Sequence, residues 1–180
     1  MKAARIKTVE LDLSICGAGL LSVWTYRQYE KIIPMCRDDW WLSTPDSRGH
    51  VLCVSDEVRH EVKEKFVAAY AFVRPVLRVK TNSRTKLHTG ERILISPQAH
   101  EFTVLDDGVL LYNATVGLKR AFNNKDYDSE TCNEYSESTI IEHIDEWVSY
   151  ITDGECNPAN IEYKAMHSDE FGKFRMYDIR

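Results

Sequence analysis

The dipeptide Asp107-Gly108 sits between two short apolar runs, residues 102–105 and 109–112. A tight two-residue reversal needs positive φ, which Asp and Gly tolerate, so the stretch predicts an antiparallel hairpin. That hairpin commits the chain to a sheet, and other segments read as further strands. Val9, Leu11, Leu13 and Ile15 alternate with Glu10, Asp12 and Ser14, the period of a half-buried strand, which Gly17 and Gly19 are expected to end. Residues 51–54 and 93–95 are short strand candidates. Residues 70–79 read as one buried strand, in which Pro75 must lie at an edge or bulge because it donates no ladder hydrogen bond. Residues 56–66 fit either a charged helix or a hairpin arm, and residues 174–179 a final strand.

Two helices interrupt these strands. Ser22 is placed to cap the first, with Val23, Tyr26, Tyr29 or Glu30, and Ile33 at helical spacing and Pro34 as its stop. Ser136 or Ser138 is placed to cap the second, in which Ile140, Ile141, Ile144, Trp147, Val148 and Ile151 form one apolar face. Residues 35–50, 80–89 and 123–135 read as loops, the last of them acidic. Strands interspersed with two helices indicate an α+β fold with an antiparallel sheet. At 180 residues the chain is expected to be a single domain, with one half at 1–79, a connecting loop at 80–89 and a second half at 90–180.

The apolar share of 43% and charged share of 28% are those of an ordinary soluble protein. No stretch approaches the roughly 20 apolar residues of a membrane span, and the basic start lacks the apolar run of a secretion signal. A cytoplasmic protein without a membrane partner is the expectation. Cys16, Cys36, Cys53, Cys132 and Cys156 are scattered and odd in number, without the close pairs of a zinc site, so free thiols, mostly buried, are expected. The Asn113-Ala114-Thr115 triplet matches a glycosylation acceptor that a cytosolic chain never presents to that machinery.

The net charge of −5 conceals an asymmetry: residues 126–155 hold ten acidic side chains and no Lys or Arg, whereas residues 59–92 hold nine basic against three acidic. Solvated faces account for such runs, but an acidic face can also occupy a site made for phosphates. No phosphate loop, nucleophile elbow or paired-histidine zinc motif is present, and the six histidines form no close ligand pair. No cofactor, metal or catalytic set is therefore assigned. Asp126, Asp128, Glu130, Glu134 and Glu137 occupy positions 1, 3, 5, 9 and 12 of a calcium-loop frame. Thr131, however, stands at position 6, where the turn wants Gly, and no helix precedes, so a solvated acidic loop fits better. Trp40 and Trp41 fit either a core plug or a platform for a sugar or base. Arg74, inside an apolar strand, is expected to be partly buried and hydrogen-bonded to loop carbonyls.

The motifs Leu20-Leu21-Ser22 with Tyr26 and Tyr29, Trp40-Trp41-Leu42-Ser43-Thr44-Pro45, and Phe72-Val73-Arg74-Pro75-Val76-Leu77 resemble a family of bacterial and phage proteins that reads LLS..EY, WWLRSPG and GVRPAL in the same order. Thr44 and Asp46 depart from its small-residue SPG pattern, and Phe72 replaces its Gly. Gly90-Glu91-Arg92, residues 102–106, Leu110-Leu111 and residues 135–138 resemble the same family's opening strands and following helix, which precede the WWL and RP segments there but follow them here. The resemblance implies a C-type-lectin-like fold, similar also to sulfatase-modifying factors, circularly permuted so that residues 80–89 join the old ends. It further implies that the first and last strands of the family lie side by side, or that two chains exchange halves in a swapped dimer. Its motifs are scaffold signatures and imply no ligand.

These features lead to the expectation of a non-catalytic interaction module, from a phage or mobile element, that binds and restrains a host protein. A nucleic-acid-binding defence enzyme is the partner such an acidic surface fits, in the manner of an anti-CRISPR inhibitor, without direct contact to nucleic acid. Asp126, Asp128, Glu130, Glu134, Glu137, Glu142, Asp145 and Glu146 are the expected contact residues. The alternative is recognition of a glycan or other small ligand at Trp40 and Trp41, by analogy with lectins.

Overall fold

A computed structural model describes residues 6–9, 14–36, 38–55, 61–80, 86–95, 100–125 and 129–151. The predicted final strand at 174–179, the Cys156 thiol and Leu11 and Leu13 of the predicted first strand lie outside these residues.

The predicted hairpin is the centre of the largest sheet. Strands β9 (His100–Asp106) and β10 (Val109–Tyr112) pair antiparallel, and Gly108 takes φ 77° between them. A Cβ there would lie 2.6 Å from the Val79 carbonyl oxygen, so both the dihedral and the close approach require glycine. Around this hairpin run β1 (Ile6–Val9), β2 (Ser14–Gly19), β7 (Val76–Lys80) and β8 (Arg92–Ile95), in the order β1-β8-β9-β10-β7-β2. The β1–β8 pair is parallel and the other pairs are antiparallel. β1 and β2 are opposite edges of this order, yet Val9 and Ser14 are joined by five peptide steps, a reach of about 18 Å. Five flat strand spacings come to about 24 Å, so the sheet is curved rather than flat.

A second sheet holds β3 (Trp40–Pro45), β4 (His50–Ser55) and β5 (Glu61–Phe66), paired antiparallel in that order. Residues 61–66 are thus a hairpin arm rather than a helix. A short pair, β6 (Tyr70–Ala71) with β11 (Arg120–Ala121), bridges the sheets. Helix α1 (Val23–Tyr29) is capped by Ser22, whose hydroxyl accepts from the Thr25 N–H at 3.2 Å. A 3-10 turn (Tyr135–Glu137) leads into α2 (Ile140–Ile151), whose Ile140, Ile144, Trp147, Val148 and Ile151 are buried as the periodicity predicted. None of the helices among the described residues is long and apolar enough to cross a membrane. One buried cluster draws on both sequence halves, from Leu20 and Trp41 to Phe102 and Val148.

Several expectations need correction. Gly17 does not end β2, because the ladder with β7 absorbs it through a bulge between Ile15 and Gly17, and the strand runs on to Gly19. Helix α1 ends at Tyr29, four residues short of the last predicted apolar position, and closes in turns in which Ile32 and Ile33 N–H groups donate to the Tyr29 carbonyl. Residues 35–50 are not all loop, since Trp40–Pro45 is strand β3. Residues 70–79 are two strands, β6 and β7, separated at Phe72–Pro75, where Pro75 has left the ladder and offers its carbonyl to the Tyr112 N–H. Ser138 donates its hydroxyl back to the Tyr135 carbonyl at 2.6 Å. Strands β7 and β8, the predicted neighbours, are separated by the β9–β10 hairpin: β7 pairs with β10 and β2, and β8 with β9 and β1.

Candidate binding face and groove

The acidic segment is held to the core by two buried asparagines. Asn123 donates its amide to the carbonyls of Cys132 (3.1 Å) and Glu137 (3.2 Å), closing the loop on itself. Asn133 donates to the carbonyls of Ser47 (3.0 Å) and His50 (3.1 Å), fastening the loop to the β3–β4 turn. Tyr135 and Cys132 point inward and are buried. With the inward positions taken by apolar and amide groups, Glu130, Glu134 and Glu137 project outward, and Glu142 and Glu146 continue the exposed face along α2, with Asp145 half-buried. Among the described residues the lysine that reaches this face is Lys125, whose Nζ lies 3.7 Å from Glu142 between two exposed side chains. Asp126 and Asp128 lie outside the described residues. Among the described residues no group of three or more His, Cys, Asp or Glu side chains could hold a metal ion, and strand β11, not a helix, precedes the loop.

Beside the acidic face a groove of about 310 Å³ opens between α2 and the segment entering β11. Val116, Trp147 and Tyr150 give it apolar walls, and Arg120, His143 and Glu146 bring charge and titratable nitrogen into it. The His143 Nδ1 lies 3.9 Å from a Glu146 oxygen, beyond hydrogen-bond reach. The pKa of His143 is lowered by burial and by the Arg120 guanidinium, against the opposing pull of Glu146 and Glu142. Behind the groove, Trp147 packs on Tyr112 (ring centroids 4.8 Å apart) and Phe102 (6.2 Å), and Tyr150 meets His100 (6.2 Å).

The tryptophan pair is elsewhere and differently employed. Trp40 and Trp41 are both 0% exposed. Trp40 lies edge-on to Tyr26 and beneath the Arg74 guanidinium, 5.0 Å from its ring centre. Trp41 donates its indole N–H to the Arg120 carbonyl at 2.8 Å and packs against Phe122. Neither ring offers a face to a sugar or base, so the expectation of a ligand platform at these residues is corrected: they are core. Arg74 is fully buried and its Nε donates to the Tyr112 carbonyl at 2.9 Å, the structural role its setting predicted.

The sequence reading missed Asp39, which is 5% exposed and accepts from Lys65 (2.7 Å) and Lys63 (2.9 Å) on β5. Burial alone would raise its pKa, but the two lysines and the Ser55 hydroxyl more than offset this and hold it at about 2. Two cations of the basic stretch are thus committed internally. Cys53, next to this cluster, is pushed up to about 11 by burial and by Asp39, the reverse of a nucleophile. Cys53 and Cys132 are buried and Cys16 and Cys36 half-buried. The Asn113 amide is occupied by Glu101 (2.7 Å) and its oxygen by the Thr103 hydroxyl (2.6 Å). Arg120 and Asn133 were also missed: a lone arginine and a lone asparagine carry no periodic or motif signal.

No protein-family model, curated protein or solved structure matches the chain.

Proposed function

We propose that the protein is a non-catalytic interaction module whose acidic face, running from Glu130 through Glu134 and Glu137 to Glu142 and Glu146, binds a basic surface of a partner protein. The observation that carries this is the outward projection of these five glutamates from a turn and helix that contain no Lys or Arg. Such a face steers a cationic partner and competes with nucleic acid for a phosphate-binding channel. On this reading the partner is a nucleic-acid-binding defence enzyme of a host, and the module, encoded by a phage or mobile element, restrains it.

The same reading takes the fold as lectin-like and circularly permuted. It is supported by the order of the WWL and RP segments and of Gly90-Glu91-Arg92, and by the sharing of one sheet between β7, from the first sequence half, and β8–β10, from the second, although β7 and β8 are not neighbours in it.

The test is capture from cells of the chain's source with the wild-type protein and with a Glu134→Lys, Glu137→Lys, Glu142→Lys variant, at low and high salt. A partner held by the wild type at low salt and lost in both other conditions is the expected result. Retention of every partner by the reversed variant overturns the reading.

A further inference from the structure

We propose that the groove between α2 and the segment entering β11 binds a small organic acid, with the carboxylate at Arg120 and an apolar or aromatic body against Trp147, Tyr150 and Val116. This site shares Glu146 with the acidic face but needs no partner protein.

One cation in the groove is left for a ligand. Among the described residues no carboxylate lies within ion-pairing distance of the Arg120 guanidinium, although Glu146 lines the same groove. The His143 Nδ1 is closed off from solvent, so the imidazole serves the groove as a wall and not as a donor. A guanidinium half-buried in a concavity without a carboxylate partner is a ready site for an entering anion. A carboxylate fits the planar fork of Arg120 by two parallel hydrogen bonds. The flanking Glu142 and Glu146 select a monoanion over a phosphate dianion, because each added negative charge meets theirs. The volume, about 310 Å³, is at the lower end of ligand sites and suits one ring with a short acid arm. Trp147 and Tyr150 supply the aromatic wall such a ring packs on.

The experiment is isothermal calorimetry on the full chain with three probes of nearly equal shape: phenylacetate, phenylacetamide and phenethylamine. Phenylacetate is expected to bind saturably at millimolar concentration, with the amide and the amine at least about tenfold weaker. Arg120→Gln is expected to reduce the acid to the level of the amide. The Arg120 backbone carbonyl that receives the Trp41 indole remains in this variant, and near-UV circular dichroism verifies the fold. Absence of saturation by phenylacetate, equal binding of acid and amide, or undiminished acid binding by folded Arg120→Gln each overturns the site. The acid–amide comparison is made on the wild type and decides the matter even if the variant fails to fold.

Discussion

The seam between the two sheets and the outer face of α2 use their residues in opposite ways. At the seam, Trp40, Trp41 and Arg74 are wholly buried, and polar atoms of Trp41 and Arg74 tie distant segments together. The Trp41 indole holds the Arg120 carbonyl, and the Arg74 Nε holds that of Tyr112. On α2 the exposed glutamates have almost no internal partners, Lys125 and His143 being their nearest among the described residues. The seam residues are conspicuous in sequence because a core needs large, particular shapes. The face is conspicuous only as a charge count, because solvated carboxylates are interchangeable with respect to folding. Residues that draw the eye as a binding platform are here the ones that join the sheets.

If that contrast holds, truncation at the seam has the largest effect on stability. Trp41→Ala removes a buried indole that packs on Phe122 and leaves the Arg120 carbonyl without its donor. The expected cost is about 4 kcal/mol, or a fall in Tm of roughly 10 °C for a domain of this size. Thermal unfolding by circular dichroism measures it, and a Tm within a degree or two of wild type would break the comparison at its stronger end.

Asp39 tests the seam electrostatically. Its folded pKa of about 2 lies below the ordinary carboxylate value of 3.8, so its contribution is fully present above the unfolded pKa and is lost as pH falls through about 2. The shift amounts to roughly 2 kcal/mol. Urea unfolding of wild type and Asp39→Asn is expected to differ by about that amount at pH 6, the gap narrowing steadily below pH 4. A pH-independent gap assigns the cost to packing and not to the pair with Lys63 and Lys65.

How much of this was legible in sequence follows the same division. The hairpin at Asp107-Gly108, the Ser22 cap and the apolar stripe of α2 were readable because turn chemistry, capping and periodicity are local. The strand at Trp40–Pro45 was hidden because four successive buried residues, Trp40 to Ser43, show no alternation when both faces are covered. Phe72–Pro75 looked like continuous strand because its apolar residues face the core, although Pro75 has left the ladder. In the groove, Glu146 was anticipated from the charge run and Arg120 was not, because it comes from a distant two-residue strand whose pairing with β6 no local pattern announces.

Asn133 joins the two regions, and its loss should sharpen the contrast. Asn133→Ala removes two donations, to Ser47 and His50, that fasten the acidic loop to the β3–β4 turn. About 1 to 2 kcal/mol is expected. Hydrogen exchange should rise around residues 129–138 before the seam is affected, because the loop opens locally. Uniform loss of protection across both sheets would mean that loop and seam unfold as one unit.

The smallest effect on stability should come from Glu134→Lys, Glu137→Lys and Glu142→Lys together. These side chains are exposed, and the pair that Glu142 makes with Lys125 is 3.7 Å long between exposed groups, a pairing that contributes little. Their mutual repulsion along the turn and first helical turn is relieved by the change, which offsets the lost pair, while lysines near the start of α2 oppose its dipole slightly. These terms nearly cancel, so Tm should move by less than about 2 °C. The same variant has its net charge raised by six, and a cationic partner that gained from the acidic face now meets repulsion. Association rates and their salt dependence should therefore change far more than the fold does. A large fall in Tm would mean that the glutamates belong to the scaffold after all, and the distinction between a seam that builds the molecule and a face free to bind would no longer stand.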